Sequence, residues 1–152
     1  MTREMTLAID CGGGGIKGSV VDERGTMMAP ARRVPTPYPL PPELLVETAV
    51  GLAKELPPAT RVTMGMPGMI RHGVVIATPH YITRDGPRSR VLPELVERWD
   101  HFDMGRAIEQ ALGLPTKVLN DAEVAGAGAI TGRGLEMIIT LGTGLGNAVF
   151  DG

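Results

Sequence analysis

A chain of 152 residues with 43% hydrophobic side chains can close a domain around a core, which excludes a disordered polypeptide. Its formal net charge of -2 gives no electrostatic case for nucleic acid or an anionic membrane, and its one cysteine, Cys11, excludes an internal disulfide. No Cys/His spacing suggests zinc, and no apolar run approaches the roughly 20 residues of a membrane span. "MTREMTLAID" runs straight into a strand pattern with no signal-peptide plan, so a cytoplasmic protein is expected.

In chain order, "MTLAID" reads as an apolar strand ending in an acid, and "GSVVDERG" as a second strand closed by a turn. "TMMAPARRVPTP" predicts a third strand stopped by prolines. Residues Pro41 to Leu56 predict a helix with Leu44, Leu45, Ala49, Leu52, Ala53 and Leu56 on its apolar face. "RVTMGMPGM" and "GVVIATPH" are strands, and Tyr81 to Arg90 a polar loop. "LPELVERW" and "DMGRAIEQALG" are helices, the second stopped by Gly113. "TKVLN" is a short strand, "DAEVAGAGAITG" a helix of small residues, and "EMIITLG" and "NAVFDG" two strands around a Gly-rich turn. This order predicts an α/β fold, a mixed sheet with helices.

The first glycine cluster, "LAIDCGGGGIKGSVVDERG", contains G-x-G-x-x-G and a lysine among glycines. Both the dinucleotide turn and the P-loop aim a helix N-terminus at phosphate. Here a short β-branched strand follows the glycines, and Lys17 precedes Gly18, so neither cradle applies. What remains is a Gly-rich β-hairpin, whose exposed N–H groups can form an anion-binding concavity or simply a tight turn. Asp10 can hold Mg²⁺ directly or through water, or cap that turn. "LGTGLGNA" repeats the strand-turn-strand plan near the other end of the chain, which favours paired phosphate-binding hairpins. "NDAE" has the Asn-x-x-Glu spacing of a helix capping box, and Asp121 within it is also a candidate base for phosphoryl transfer.

Together these segments resemble the ROK sugar kinases of the actin-like ATPase superfamily. "IDCGGGGIKGSVVD" is similar to their phosphate-1 motif, "MGMPGMIRHGVV" to their sugar-side Pro-Gly loop, "LNDAEVAG" to their catalytic segment and "TLGTGLGNAVFDG" to their phosphate-2 motif. The combination is most similar to the polyphosphate glucokinase branch. The resemblance implies a ribonuclease-H-like, actin-like N-terminal lobe over residues 1–133, with the first hairpin of a second lobe over 134–152. It implies transfer of a phosphoryl group from ATP or polyphosphate, with Mg²⁺, to a hexose, glucose at its 6-hydroxyl being the first expectation. Asp121 would be the general base. Asn120, Gly65, Pro67 and Gly68 would bind the sugar. Gly12, Gly13, Gly14 and Lys17 would approach the donor phosphates on one side, and Gly142, Thr143 and Gly144 on the other; Asp10 would organise the metal.

Two departures from the family pattern stand out. "LND" replaces the Glu-Asn-Asp of many ATP-dependent relatives, and His80 and Tyr81 stand where typical glucokinases carry an Asn-Leu-x-Trp-like sugar segment. The family also places a second domain after the phosphate-2 hairpin. The chain is therefore expected to be a first half, inactive alone, with a C-terminal hairpin that packs back, pairs in a homo-oligomer or moves. The alternative is a non-catalytic sugar-sensing or regulatory protein of the same fold. Repressors of this family add an N-terminal DNA-binding segment, for which a strand starting by about Met5 leaves no room.

Of the remaining residues, Cys11 reads as a small core residue and Trp99 as a helix anchor. Met64, Met66 and Met69 read as core or pocket wall, and His80 as a surface loop histidine. Arg71, His72, Arg84, Arg88 and Arg90 give residues 71–90 a basic bias, read as a solvated loop or as a polyphosphate contact.

Overall fold

The computed structural model describes residues 3–141 and 145–152. Its main sheet has five strands: β1 (Met5–Cys11), β2 (Ile16–Asp22), β3 (Arg32–Val34), β4 (Arg61–Met66) and β7 (Thr116–Asn120). They lie in the order β3-β2-β1-β4-β7. The first three are antiparallel neighbours, while β4 runs parallel to β1 and β7 parallel to β4. That mixed sheet with flanking helices is the actin-like N-terminal lobe expected from the sequence.

Alternation along β1 decides which face is the core. Leu7, Ile9 and Cys11 are at most 2% exposed, while Asp10 between them points to the other face and is exposed. Helix α1 (Pro42–Lys54) covers the core face through Leu45, Ala49 and Leu52. Each fully buried leucine contributes about 2 kcal/mol. The helix approaches β2 at Gly18, where an added Cβ would lie 3.5 Å from Leu52 Cβ. Pro42 in its first turn lacks only an N–H that no helical carbonyl could have taken.

Helices α2 (Pro93–Trp99) and α3 (Met104–Leu112) complete this layer. Asp103 caps α3 by accepting the Arg106 N–H at 2.9 Å, and Gly113, with φ 67°, ends it in the left-handed conformation. Trp99 anchors α2, its indole N–H donating to the Leu40 carbonyl at 2.9 Å. Its ring continues a series of packed aromatics through Tyr38, Tyr81 and Phe102.

The structure corrects several expected boundaries. The third strand shrinks to three residues, because prolines on both sides cannot donate to a ladder. The segment 61–77 forms β4, then a small hairpin of β5 (Met69–Arg71) and β6 (Val74–Ala77). The helix of small residues, α4 (Asp121–Ala127), stops at Gly128 instead of reaching Gly132, as expected where glycines accumulate. Within the predicted polar loop, Tyr81 is wholly buried and Thr83 nearly so.

The last two strands, β8 (Leu135–Leu141) and β9 (Leu145–Asp151), form a separate antiparallel hairpin. It repeats the plan of β1 and β2: seven residues against seven, with an aspartate at the end away from the turn, Asp22 or Asp151. Its inner face packs on α4, where a Cβ on Gly126 would lie 2.5 Å from Phe150 Cε2. The outer face is uncovered: Leu135, Met137, Ile139, Leu141, Leu145 and Val149 are 54–85% exposed. No helix is long and apolar enough to cross a membrane among the described residues.

Candidate active site

Strands β1, β4 and β7 are parallel, and their carboxyl ends meet at one edge of the sheet, where open α/β sheets bind ligands. The segments leaving those ends line a cleft of about 760 Å³. Gly12 and Gly13 line it from β1, Pro67 and Gly68 from β4, and Asn120 and Asp121 from β7. Thr140, Leu145, Gly146 and Asn147 close it from the second hairpin. Gly65 lies beneath the cleft, where an added Cβ would meet Val124 Cγ2 at 3.1 Å and the Asp121 Cα at 3.5 Å. Gly142, Thr143 and Gly144 lie outside the described residues.

Residues 12–15 form the turn between β1 and β2, closed by Gly12 N–H donating to the Gly15 carbonyl at 2.9 Å. None of these glycines has a positive φ. Their role is close approach: a Cβ on Gly13 would lie 2.7 Å from Pro87 Cγ, and one on Gly15 would strike the Arg33 guanidinium. The Gly12 carbonyl is held by the Thr36 hydroxyl at 2.7 Å and faces the Tyr81 hydroxyl at 3.4 Å. Burial pushes the Tyr81 phenol well above its ordinary value, so it stays a neutral donor. Neither side chain is marked as a support of the turn by its local sequence, since Thr36 sits among prolines and Tyr81 in a polar stretch.

Asn120 and Glu123 form the capping box that their spacing predicts. Asn120 Oδ1 accepts the Ala122 N–H at 2.8 Å, and Glu123 Oε2 accepts the Asn120 N–H at 3.0 Å. Asn120 Nδ2 also donates to the Gly68 carbonyl at 2.7 Å, tying the helix start to the Pro-Gly turn. Gly68 is required there, because its φ is 120° and a Cβ would collide with the Ala77 carbonyl. Asp121 Oδ1 shares the Ala122 N–H at 2.9 Å, and its Oδ2 takes no donor among the described residues.

At the end of β1, Cys11 carries a wholly buried free thiol. Burial first, then the charges of Asp10 and Asp121, push that thiol far above its ordinary value, which makes Cys11 an inert core residue. No cluster of three metal-ligating side chains occurs among the described residues. Asp121 lines the cleft, whereas Asp10 lies on the strand leading to the Gly-rich turn and is not among the lining residues; Mg²⁺ keeps several waters and needs only one or two protein carboxylates, a demand that these two residues can meet. Lys17 stands opposite Asp10 in the strand register and is exposed.

His80 departs from the surface reading. It is half-buried, it lines the cleft, and its Nδ1 is buried with no hydrogen-bond partner among the described residues. The basic residues of 71–90 divide. Arg71 and His72 line a second cleft beside α3, while the loop carrying Arg84, Arg88 and Arg90 packs against the Gly-rich turn through Pro87. Met64 and Met66 are core, whereas Met69 is 64% exposed and forms cleft wall.

The ROK family profile matches residues 6–152. The chain belongs to the ROK family. N-acetylmannosamine kinase from Escherichia coli strain SE11 is 33% identical in an alignment 153 positions long that covers 97% of this chain and 47% of that protein. The inorganic polyphosphate/ATP-glucomannokinase of Arthrobacter sp. strain KM superposes with a TM-score of 0.77 at 33% identity, covering 97% of this chain and 59% of the other. A ROK family glucokinase from Streptomyces griseus, solved with glucose and AMPPNP, superposes with a TM-score of 0.73 at 30% identity, covering 97% and 45%. This ROK chain therefore spans about half the length of the curated relatives it matches.

Proposed function

We propose that this chain is the N-terminal lobe of a sugar kinase that transfers a terminal phosphoryl group from ATP or polyphosphate to a hexose, with glucose and its 6-hydroxyl as the leading acceptor. The observation that carries this reading is convergence. The glycine turn after β1 and the Asp121 carboxylate, whose Oδ2 takes no donor among the described residues, line one cleft at the ends of three parallel strands. Relatives of similar sequence are named as glucomannokinase, glucokinase and N-acetylmannosamine kinase.

In this reading the acceptor hydroxyl donates its hydrogen bond to Asp121. As the oxygen–phosphorus bond forms, the proton passes to that carboxylate, and the bond to the departing phosphate oxygen breaks. Asn120 retains one Nδ2 hydrogen for a sugar hydroxyl. Pro67 and Gly68 shape the sugar side, with Gly65 leaving room beneath them. The backbone of Gly12, Gly13 and Gly14 meets the donor phosphates, and Lys17 offsets their charge. Asp10 would hold Mg²⁺, directly or through water, and the ion would neutralise charge on the donor. Gly142, Thr143 and Gly144 would serve the donor from the second hairpin.

Residues 134–152 would begin a second lobe, which the uncovered apolar face of that hairpin supports. Two copies could also meet through this face as a homo-oligomer. Closure of two lobes excludes water from the transfer, so this chain alone should turn over little or no sugar. A coupled assay with glucose against ATP and polyphosphate tests both points. Robust turnover by the isolated chain would overturn the lobe assignment.

A further inference from the structure

Three charged residues lie in one row across the sheet. Asp10 of β1 pairs with Lys17 of β2, and Lys17 pairs with Arg33 of β3. Directly paired residues share a face, and all three are exposed on the face away from the core. Gly65, the β4 partner of Asp10, continues the row to the Asp121 backbone. Strands are spaced about 4.8 Å apart, so Asp10 to Arg33 spans roughly 10 Å, more than a single phosphate group covers.

Arg33 and its neighbour Arg32 are used differently. Arg32 pairs with Gly18, faces α1 and sits 3.8 Å from Glu55. Arg33 lies over Gly15 and donates Nη2 to the Gly14 carbonyl at 3.2 Å. It takes no carboxylate among the described residues, and neither does Lys17. A guanidinium strapped to a glycine turn, with its other N–H groups unspent, suits bidentate capture of a phosphate.

We infer that Arg33 binds the non-transferred phosphates of a linear oligophosphate donor, whose chain runs from Asp10 past Lys17 to Arg33. This rests on the donor site proposed above and adds its direction: the transferred group lies at Asp10 and Asp121, and the departing phosphates lie over β3.

Isothermal titration of the complete protein carrying this lobe with tripolyphosphate, ATP and orthophosphate tests it. R33A should weaken tripolyphosphate about tenfold or more, R33K should recover part of the loss, and orthophosphate should change little. R24A removes an exposed arginine from the β2–β3 connection and should leave all three affinities unchanged. Weakening of tripolyphosphate alone identifies an inorganic chain as the donor, and weakening of ATP as well extends the site to the nucleotide. R33A affinities equal to wild type overturn the assignment while leaving the donor site standing, even if R33A lowers the Tm, because that would make Arg33 a brace for the turn. Failure of the complete wild-type protein carrying this lobe to bind tripolyphosphate or ATP counts against the donor site itself and overturns both.

Discussion

The Cα of Asp121 lies 3.5 Å from the point that a Cβ on Gly65 would occupy. The bare face of β4 at Gly65 therefore sets how closely the start of α4 packs on the sheet. Gly65→Val should destabilise the fold by about 1–3 kcal/mol through overpacking. It should also move the α4 start away from the cleft. Urea denaturation checks the first effect, and amide chemical shifts of residues 120–124 the second.

Asn120 joins two cleft segments through one side chain. Asn120→Ala removes the acceptor for Ala122 N–H and the donor to Gly68, and should cost about 1–2 kcal/mol. Asn120→Asp keeps the cap but turns a carboxylate oxygen toward the Gly68 carbonyl, acceptor against acceptor, so it should melt below wild type despite the retained cap.

The Asp22 carboxyl is held below its ordinary value, first by the Thr26 N–H, then by the Arg24 N–H and the Arg3 guanidinium. A carboxyl lowered in the folded state stabilises it above the unfolded value of 3.8 and loses that contribution as pH falls through the folded value. The Tm of wild type should therefore drop on acidification below that point, and Asp22→Asn should flatten the drop. Melts across the acid range decide it.

Cys11 should resist thiol reagents in the folded chain at mildly alkaline pH, because it is wholly buried and its thiol is pushed upward. Labelling with a chromogenic disulfide should appear only as the chain unfolds. Labelling at the rate of a free thiol under native conditions would show that the end of β1 opens.

The strands and main helices were legible because one face of each is apolar at the right period, as in Leu7, Ile9 and Cys11 or Leu45, Ala49 and Leu52. The capping box was legible because its chemistry is local. Contacts between distant segments were not. Nothing in "VPTPYP" marks Thr36 as the partner of the Gly12 carbonyl, and no local pattern buries Tyr81 within a polar loop. The glycines of the first turn were legible as a turn, but their reason was not. At Gly13 the reason is a neighbour and not φ, since Pro87 lies where a Cβ would stand; Gly14 has open space around it, and Gly15 faces the movable end of Arg33.

Sugar phosphorylation by this lobe depends on Asp121 as the base. Initial rates of sugar phosphate formation, by the complete protein carrying this lobe, test that most directly. Asp121→Asn should lower kcat by about 10²–10⁴ while leaving the melting curve and tripolyphosphate affinity near wild type. An Asp121→Asn protein that forms sugar phosphate at the wild-type rate would contradict it.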